Sequence, residues 1–157
     1  MLNLKKREIP MVQFRRVLPE FLGPGGECWI EVDARAGGAV NPEYMAGQEQ
    51  LILRARVLDR QRQKLEDDSA FVHAGHKNML TVVQGRFGVL YDTCVIEWRT
   101  NIVNADTGQP LDQTRVNFLA LTEVTVPEIV AAMVELEAEI LKAGRIMREE
   151  QDATEKN

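Results

Sequence analysis

At 157 residues the chain amounts to one domain, and its composition (45% hydrophobic, 27% charged, 11 Gly and 6 Pro) excludes the collagen-like and disordered classes. No apolar run approaches the ~18 residues that a membrane span needs. Charge is uneven: residues 1–64 carry a net +3 and residues 65–157 a net −8, together the −5 of the whole chain. Nucleic-acid binders ordinarily show a clear basic excess, so this asymmetry points to self-association or an electropositive protein partner.

The N-terminal forty residues read as β. Residues 11–17 alternate weakly, and residues 28–33 set Cys28, Ile30 and Val32 on one face and Trp29, Glu31 and Asp33 on the other. Between them, Pro19–Glu27 is rich in turn residues. Two short strands need helices or another chain to cover them. Asn41-Pro42 is a helix start, since Asn caps free N–H groups and Pro suits the first helical turn. From there Tyr44, Leu51, Ala55, Leu58 and Leu65 share one face, with Arg54, Arg56, Arg60, Arg62 and Lys64 opposite. The spacing predicts a helix over about 42–66, ending near Asp67-Asp68-Ser69.

Residues 78–99 send two signals. Val, Thr, Tyr and Trp favour strand, while Leu80, Val83, Phe87, Tyr91, Cys94 and Trp98 step by three and four. The helical spacing is preferred here, over about 79–99. A turn at Asn104–Pro110 precedes a short helix near 113–122, capped by Asp112 or Thr114. Thr125 and Glu128 have capping-box spacing ahead of a last helix to about 149. In it Ile129, Met133, Leu136, Ile140, Ala143 and Met147 step 4-3-4-3-4, a stripe widened by Val130, Val134 and Leu141. With little chain left to cover it, Ile129, Met133, Leu136, Ile140 and Met147 are the candidate partner or self-association surface. The predicted fold is α+β, mainly α-helical with a short N-terminal β-hairpin. It forms one domain over 1–150 (hairpin 1–35, helical part 41–150), followed by a flexible acidic tail at 151–157.

The parts of a catalytic site are missing from the pattern. His73 and His76 are the two histidines, spaced i,i+3, yet a Gly lies between them and no Cys is near in sequence; they read as a solvated loop rather than a metal site. Cys28 and Cys94 exclude a disulfide framework and read as half-buried thiols. Gly23-Pro-Gly-Gly26 lacks the phosphate-loop layout, and its Pro removes an N–H that such a loop would use. The arginines at 54–64 could touch phosphate, but the acidic 135–155 stretch offers them a counterpart in the same chain. No catalytic, cofactor-binding or metal residue is therefore assigned, and the expectation is a non-enzymatic protein without cofactor. The start, with Glu8 and Pro10 where a signal peptide needs its apolar stretch, suggests a cytoplasmic one.

One stretch carries a resemblance. Val95 and Trp98, then Asp106, Gly108 and Pro110, then Asp112-Gln-Thr-Arg-Val-Asn117, then Thr125 and Pro127 follow the order of parts in tail assembly chaperones of long-tailed bacteriophages. In that family an apolar helix ends in a Trp, a Gly-Pro turn follows, and a polar-capped short helix leads to a longer one. The resemblance covers 94–141, and a β-rich start carrying Trp29 also fits; the basic 42–66 helix and the His73–Lys77 segment depart from it. It implies a non-enzymatic, mostly helical protein in the host cytoplasm. Such proteins self-associate, coat the tape measure protein and help recruit tail-tube subunits. They are often made with a frameshifted longer form, and Glu155-Lys156-Asn157 can be encoded by a run on which ribosomes slip. Two alternatives stay open: a structural virion component, such as a connector or minor tail protein, and a nucleic-acid-binding regulator using the 54–64 arginines.

Overall fold

A computed structural model describes residues 8–23, 25–124 and 126–156. The elements in chain order are β1 (Met11–Gly23), β2 (Gly26–Arg35), α1 (Pro42–Gln63), α2 (Asp68–Thr93), β3 (Val95–Thr100), α3 (Arg115–Glu123) and α4 (Pro127–Glu155). The fold is α+β with helix dominant, as the sequence predicts. The three strands form one antiparallel sheet in the order β1-β2-β3.

The first two strands make a hairpin through Gly25 and Gly26, whose positive φ values of 87° and 128° suit glycine alone at little cost. Both strands outrun the predicted spans of 11–17 and 28–33. The Pro19–Glu27 segment does not simply turn; the ladder resumes at Leu22↔Glu27 after an irregularity between Leu18 and Leu22. Pro19 falls in that bulge, where no ladder N–H is required. On β2 the alternation is as read: Cys28, Ile30, Val32 and Ala34 are buried and their neighbours half-exposed.

The third strand corrects the sequence reading. Helix α2 starts at Asp68 and stops at Thr93, so the predicted helix over 79–99 begins too late and runs too far. Asp67 accepts from the Ser69 N–H at 3.0 Å and opens α2, where a helix end was expected. Residues 73–77 are helical rather than an inserted loop. Beyond Cys94 the chain pairs with β2, with Val32 opposite Trp98 and Ile30 opposite Thr100. Six residues of Val, Ile, Trp and Thr character are worth more as the third strand of a waiting sheet than as a helix extension, because β2 offers a full row of ladder partners.

Asn41 ties the sheet to the helices. Its side chain is 1% exposed. Its Oδ1 accepts from Tyr44 N–H at 3.1 Å, capping α1. Its Nδ2 donates to the Ala36 and Thr93 carbonyls at 3.0 and 3.1 Å. Thr114 caps α3 by accepting from Asn117 N–H at 3.2 Å. The expected capping box at α4 falls on Thr125, which lies outside the described residues; the cap position is Val126, and Pro127 opens the helix. Helix α4 continues to Glu155, so the expected flexible tail from 151 is helical to that point.

The core lies between the inner face of the sheet and α4, α3 and the root of α2. Trp98 meets Phe118 edge-on at 5.7 Å between centroids, and Tyr91 tilts onto Phe118 at 5.0 Å. Helix α4 is seated against the β2–α1 linker, where Gly37 N–H donates to the Ile140 carbonyl at 3.1 Å. A Cβ at Gly144 would strike the Gly37 carbonyl, so this close approach needs glycine.

Candidate interaction surface

Helices α1 and α2 form an antiparallel hairpin that extends past the core. Tyr44 is the one buried residue of α1, and on α2 burial begins at Phe87. No residue from 45 to 86 is buried. The two helices are held to each other by small residues and polar ties. A Cβ on Gly85 would press on Leu51 Cδ1, which shows how closely the helices approach. Arg62 stacks on the Phe71 ring at 3.8 Å and donates from Nε to the Phe71 carbonyl at 2.9 Å. Asn78 Nδ2 reaches the Leu58 carbonyl at 3.3 Å.

Much of the chain's exposed apolar surface lies on the hairpin. Of the fifteen exposed large hydrophobic residues among the described ones, nine lie here: Met45, Ile52, Leu53, Val57, Leu65, Val72, Met79, Leu80 and Val83. That concentration decides the choice of surface, since scattered apolar residues are normal and clustered ones mark contact sites. A groove of about 280 Å³ runs between the helices, lined by Ala55, Asp59, Arg62, Gly75, Asn78, Met79, Val82 and Val83. The arginine face borders it. Among the described residues, Arg54, Arg56 and Arg60 form no ion pair. The acidic helix α4, expected to answer them, pairs elsewhere: Glu135 with Arg16 and Glu137 with Arg86, each at 2.8 Å.

The stripe read from the sequence as the association surface is turned inward. Met133, Leu136 and Ile140 are fully buried, and Ile129 and Met147 nearly so. Ile129, Met133, Leu136 and Ile140 belong to the core that includes the inner face of the sheet, which supplies the cover that the sequence does not reveal; Met147 lies beyond it, beside Pro10, Ala143 and Ile146. This is a correction: the periodicity is real, but the cover of Met133, Leu136 and Ile140 is intramolecular. The hairpin face was missed because its apolar residues sit on two helices, one of which was read as a loop over 73–77. The signal that could have found it is Val72, Met79, Leu80 and Val83, continuing the α2 stripe away from the core.

The remaining candidates are quiet. His73 and His76 are exposed on α2, and no group of three or more metal-ligating side chains occurs among the described residues. Cys28 and Cys94 are buried free thiols, and burial pushes both pKa values up, away from reactive thiolate. The Cys94 thiol rests 3.5 Å from Thr93 Oγ1 and 3.8 Å from Asn41 Nδ2. On the outer sheet face Arg99 pairs with Glu31, Glu97 and Asp33 at 3.3, 3.0 and 3.5 Å, and Arg15 with Glu31 at 3.0 Å. The hydrogen bonds that Arg99 donates to Glu31 and Glu97 raise its pKa further. Such a network satisfies itself in water. No helix among the described residues is long and apolar enough to cross a membrane. Compared with protein-family models, curated proteins and solved structures, the chain has no match.

Proposed function

We propose that this chain is a non-enzymatic tail assembly chaperone of a long-tailed bacteriophage. It self-associates in the host cytoplasm, coats the tape measure protein and is exchanged for tail-tube subunits during tail morphogenesis. The observation that carries this reading is the α1–α2 hairpin, which exposes nine large apolar side chains, two of them, Met79 and Val83, in an open groove between the helices. A coat for a long helical partner needs many modest apolar contacts that can be released, and an amphipathic helix laid in a shallow groove makes contacts of that kind. The resemblance adds to it. The turn at Asp106–Pro110, α3 capped by Thr114 and α4 opened by Pro127 follow in the order that the family implies. Trp98 departs from it, standing on β3 instead of ending a helix.

Co-expression with the tape measure protein of the same genome tests the reading. The expected result is a soluble complex with several copies of this chain per tape measure protein. A tape measure protein that stays insoluble and leaves the chain unbound overturns it. Mass spectrometry of purified particles is expected to find the chain absent; its presence there in fixed proportion would favour a structural tail component instead.

A further inference from the structure

The last turns of α4 meet the start of β1 across an open groove of about 600 Å³. Pro10, Ala143, Ile146 and Met147 give it apolar walls, and Glu8 and Glu150 are its charged lining. Ile146 is 46% exposed there. We propose that the groove is filled by the chain's own residues 1–7, with Leu2 and Leu4 laid against its apolar walls and Lys5, Lys6 and Arg7 beside its carboxylates. The inference stands apart from the function proposed above and uses no surface of the hairpin.

Continuity selects this occupant. Strand β1 and α4 run in opposite directions: Arg16 pairs with Glu135, and Pro10 and Glu8 lie in the groove with Ala143 and Glu150. The chain preceding Glu8 is therefore delivered at the groove itself. Seven residues span at most about 25 Å, against the about 10 Å that α4 rises from Ala143 to Glu150, so they are long enough to turn back over it. Charge agrees. At about 100° per residue, Glu139 and Glu150 fall on the groove side of α4. The other ionisable groups from Lys142 to Lys156, the cations Arg145 and Arg148 included, stand about a right angle or more away. Glu8 and Glu150 are exposed, and neither is ion-paired among the described residues. The groove thus meets three consecutive cations with acidic groups alone. Tethering supplies the rest. A short linker holds a segment at an effective concentration of about millimolar, so a few modest contacts close it where a separate peptide would need many more.

The test uses the full chain carrying Asn3→Cys with a nitroxide on the new thiol, since Cys28 and Cys94 are buried away from the label. Amide signals in a proton–nitrogen correlation spectrum then report which residues the nitroxide approaches. The expected result is strong broadening at Ala143, Ile146, Met147 and Glu150, much reduced by a further Ile146→Asp or Glu150→Lys. Both positions are exposed, so each variant should keep the far-ultraviolet spectrum of the parent. Combining Glu150→Lys with Lys5→Glu and Lys6→Glu should restore the broadening, which a merely structural role for Glu150 would not do. Trypsin gives a second reading on the unlabelled chain. Cleavage after Lys5 and Lys6 follows the population of the open form, so a segment seated about nine-tenths of the time is cut about tenfold more slowly than in Ile146→Asp. Broadening indifferent to both groove substitutions overturns the proposal. So do equal cleavage rates in the parent and Ile146→Asp, or a charge-reversed set that restores nothing. Broadening that arises only between labelled and unlabelled molecules assigns the groove to a second copy and overturns it as well.

Discussion

Trp98→Ala puts the packing argument to its sharpest use. The side chain is 2% exposed, stands opposite Val32 in the β2–β3 ladder and meets Phe118 edge-on. It therefore joins the late strand, the sheet and α3 in one contact. Truncating a buried Trp costs about 3–5 kcal/mol through lost transfer energy and the cavity left behind. Against a domain stability of about 5–15 kcal/mol, that is a large share. A second variant separates volume from polarity. Trp98 Nε1 finds no hydrogen-bond partner among the described residues, so its burial already carries a desolvation cost. Trp98→Phe removes that orphan donor, which recovers about 1–3 kcal/mol, while losing part of the ring. Its net cost should be about 1 kcal/mol or less. Urea unfolding followed by circular dichroism measures both, with equal m-values showing that the two-state comparison holds. A Trp98→Ala cost below about 1 kcal/mol would refute the packing argument. A Trp98→Phe cost equal to that of Trp98→Ala would refute the account of the orphan N–H.

Ile140→Glu should unfold the chain or cost it several kcal/mol, since it buries an unpaired charge in the core; a folded variant with only a looser assembly would return the α4 stripe to the surface. Gly144→Ala should lower the urea midpoint by an amount equal to about 1–3 kcal/mol, because the Gly37 carbonyl must move to admit a methyl group. Asn41→Ala should cost about 2 kcal/mol or more in the same assay, as it removes the α1 cap and leaves the Ala36 and Thr93 carbonyls without their donor. Burial raises the Cys94 pKa in the folded state, so the unfolded chain ionises first as pH rises. Stability from this group is whole below the unfolded thiol range, about 8.5, and falls as pH climbs above it; Cys94→Ala should flatten part of that slope between pH 7 and 10.

Much of the architecture is written locally. Asn41-Pro42 announces α1 because capping is a contact between near neighbours, and Thr114 announces α3 for the same reason. Cys28, Ile30 and Val32 alternate because a pleated strand puts every second residue on one face, and one face of this sheet is core. Ile129 to Ile140 repeat at helical spacing because α4 has one inner side. What periodicity cannot say is which surface covers a stripe. The α4 stripe looked bare because its cover, the inner face of a sheet completed by β3, is distant in sequence; the exposed Arg16–Glu135 pair beside it joins β1 to α4 across 119 positions. Residues 95–100 carry both strand propensity and helical spacing, and only the open edge of β2 decides between them. The converse holds on the hairpin. Val72, Met79 and Val83 look no different in sequence from core residues, yet α3 and α4 reach only the root of α2. Local sequence sets which face of an element is apolar; the tertiary arrangement alone decides whether that face is buried in the chain or left for a partner, because burial is a relation between distant segments and not a property of either one.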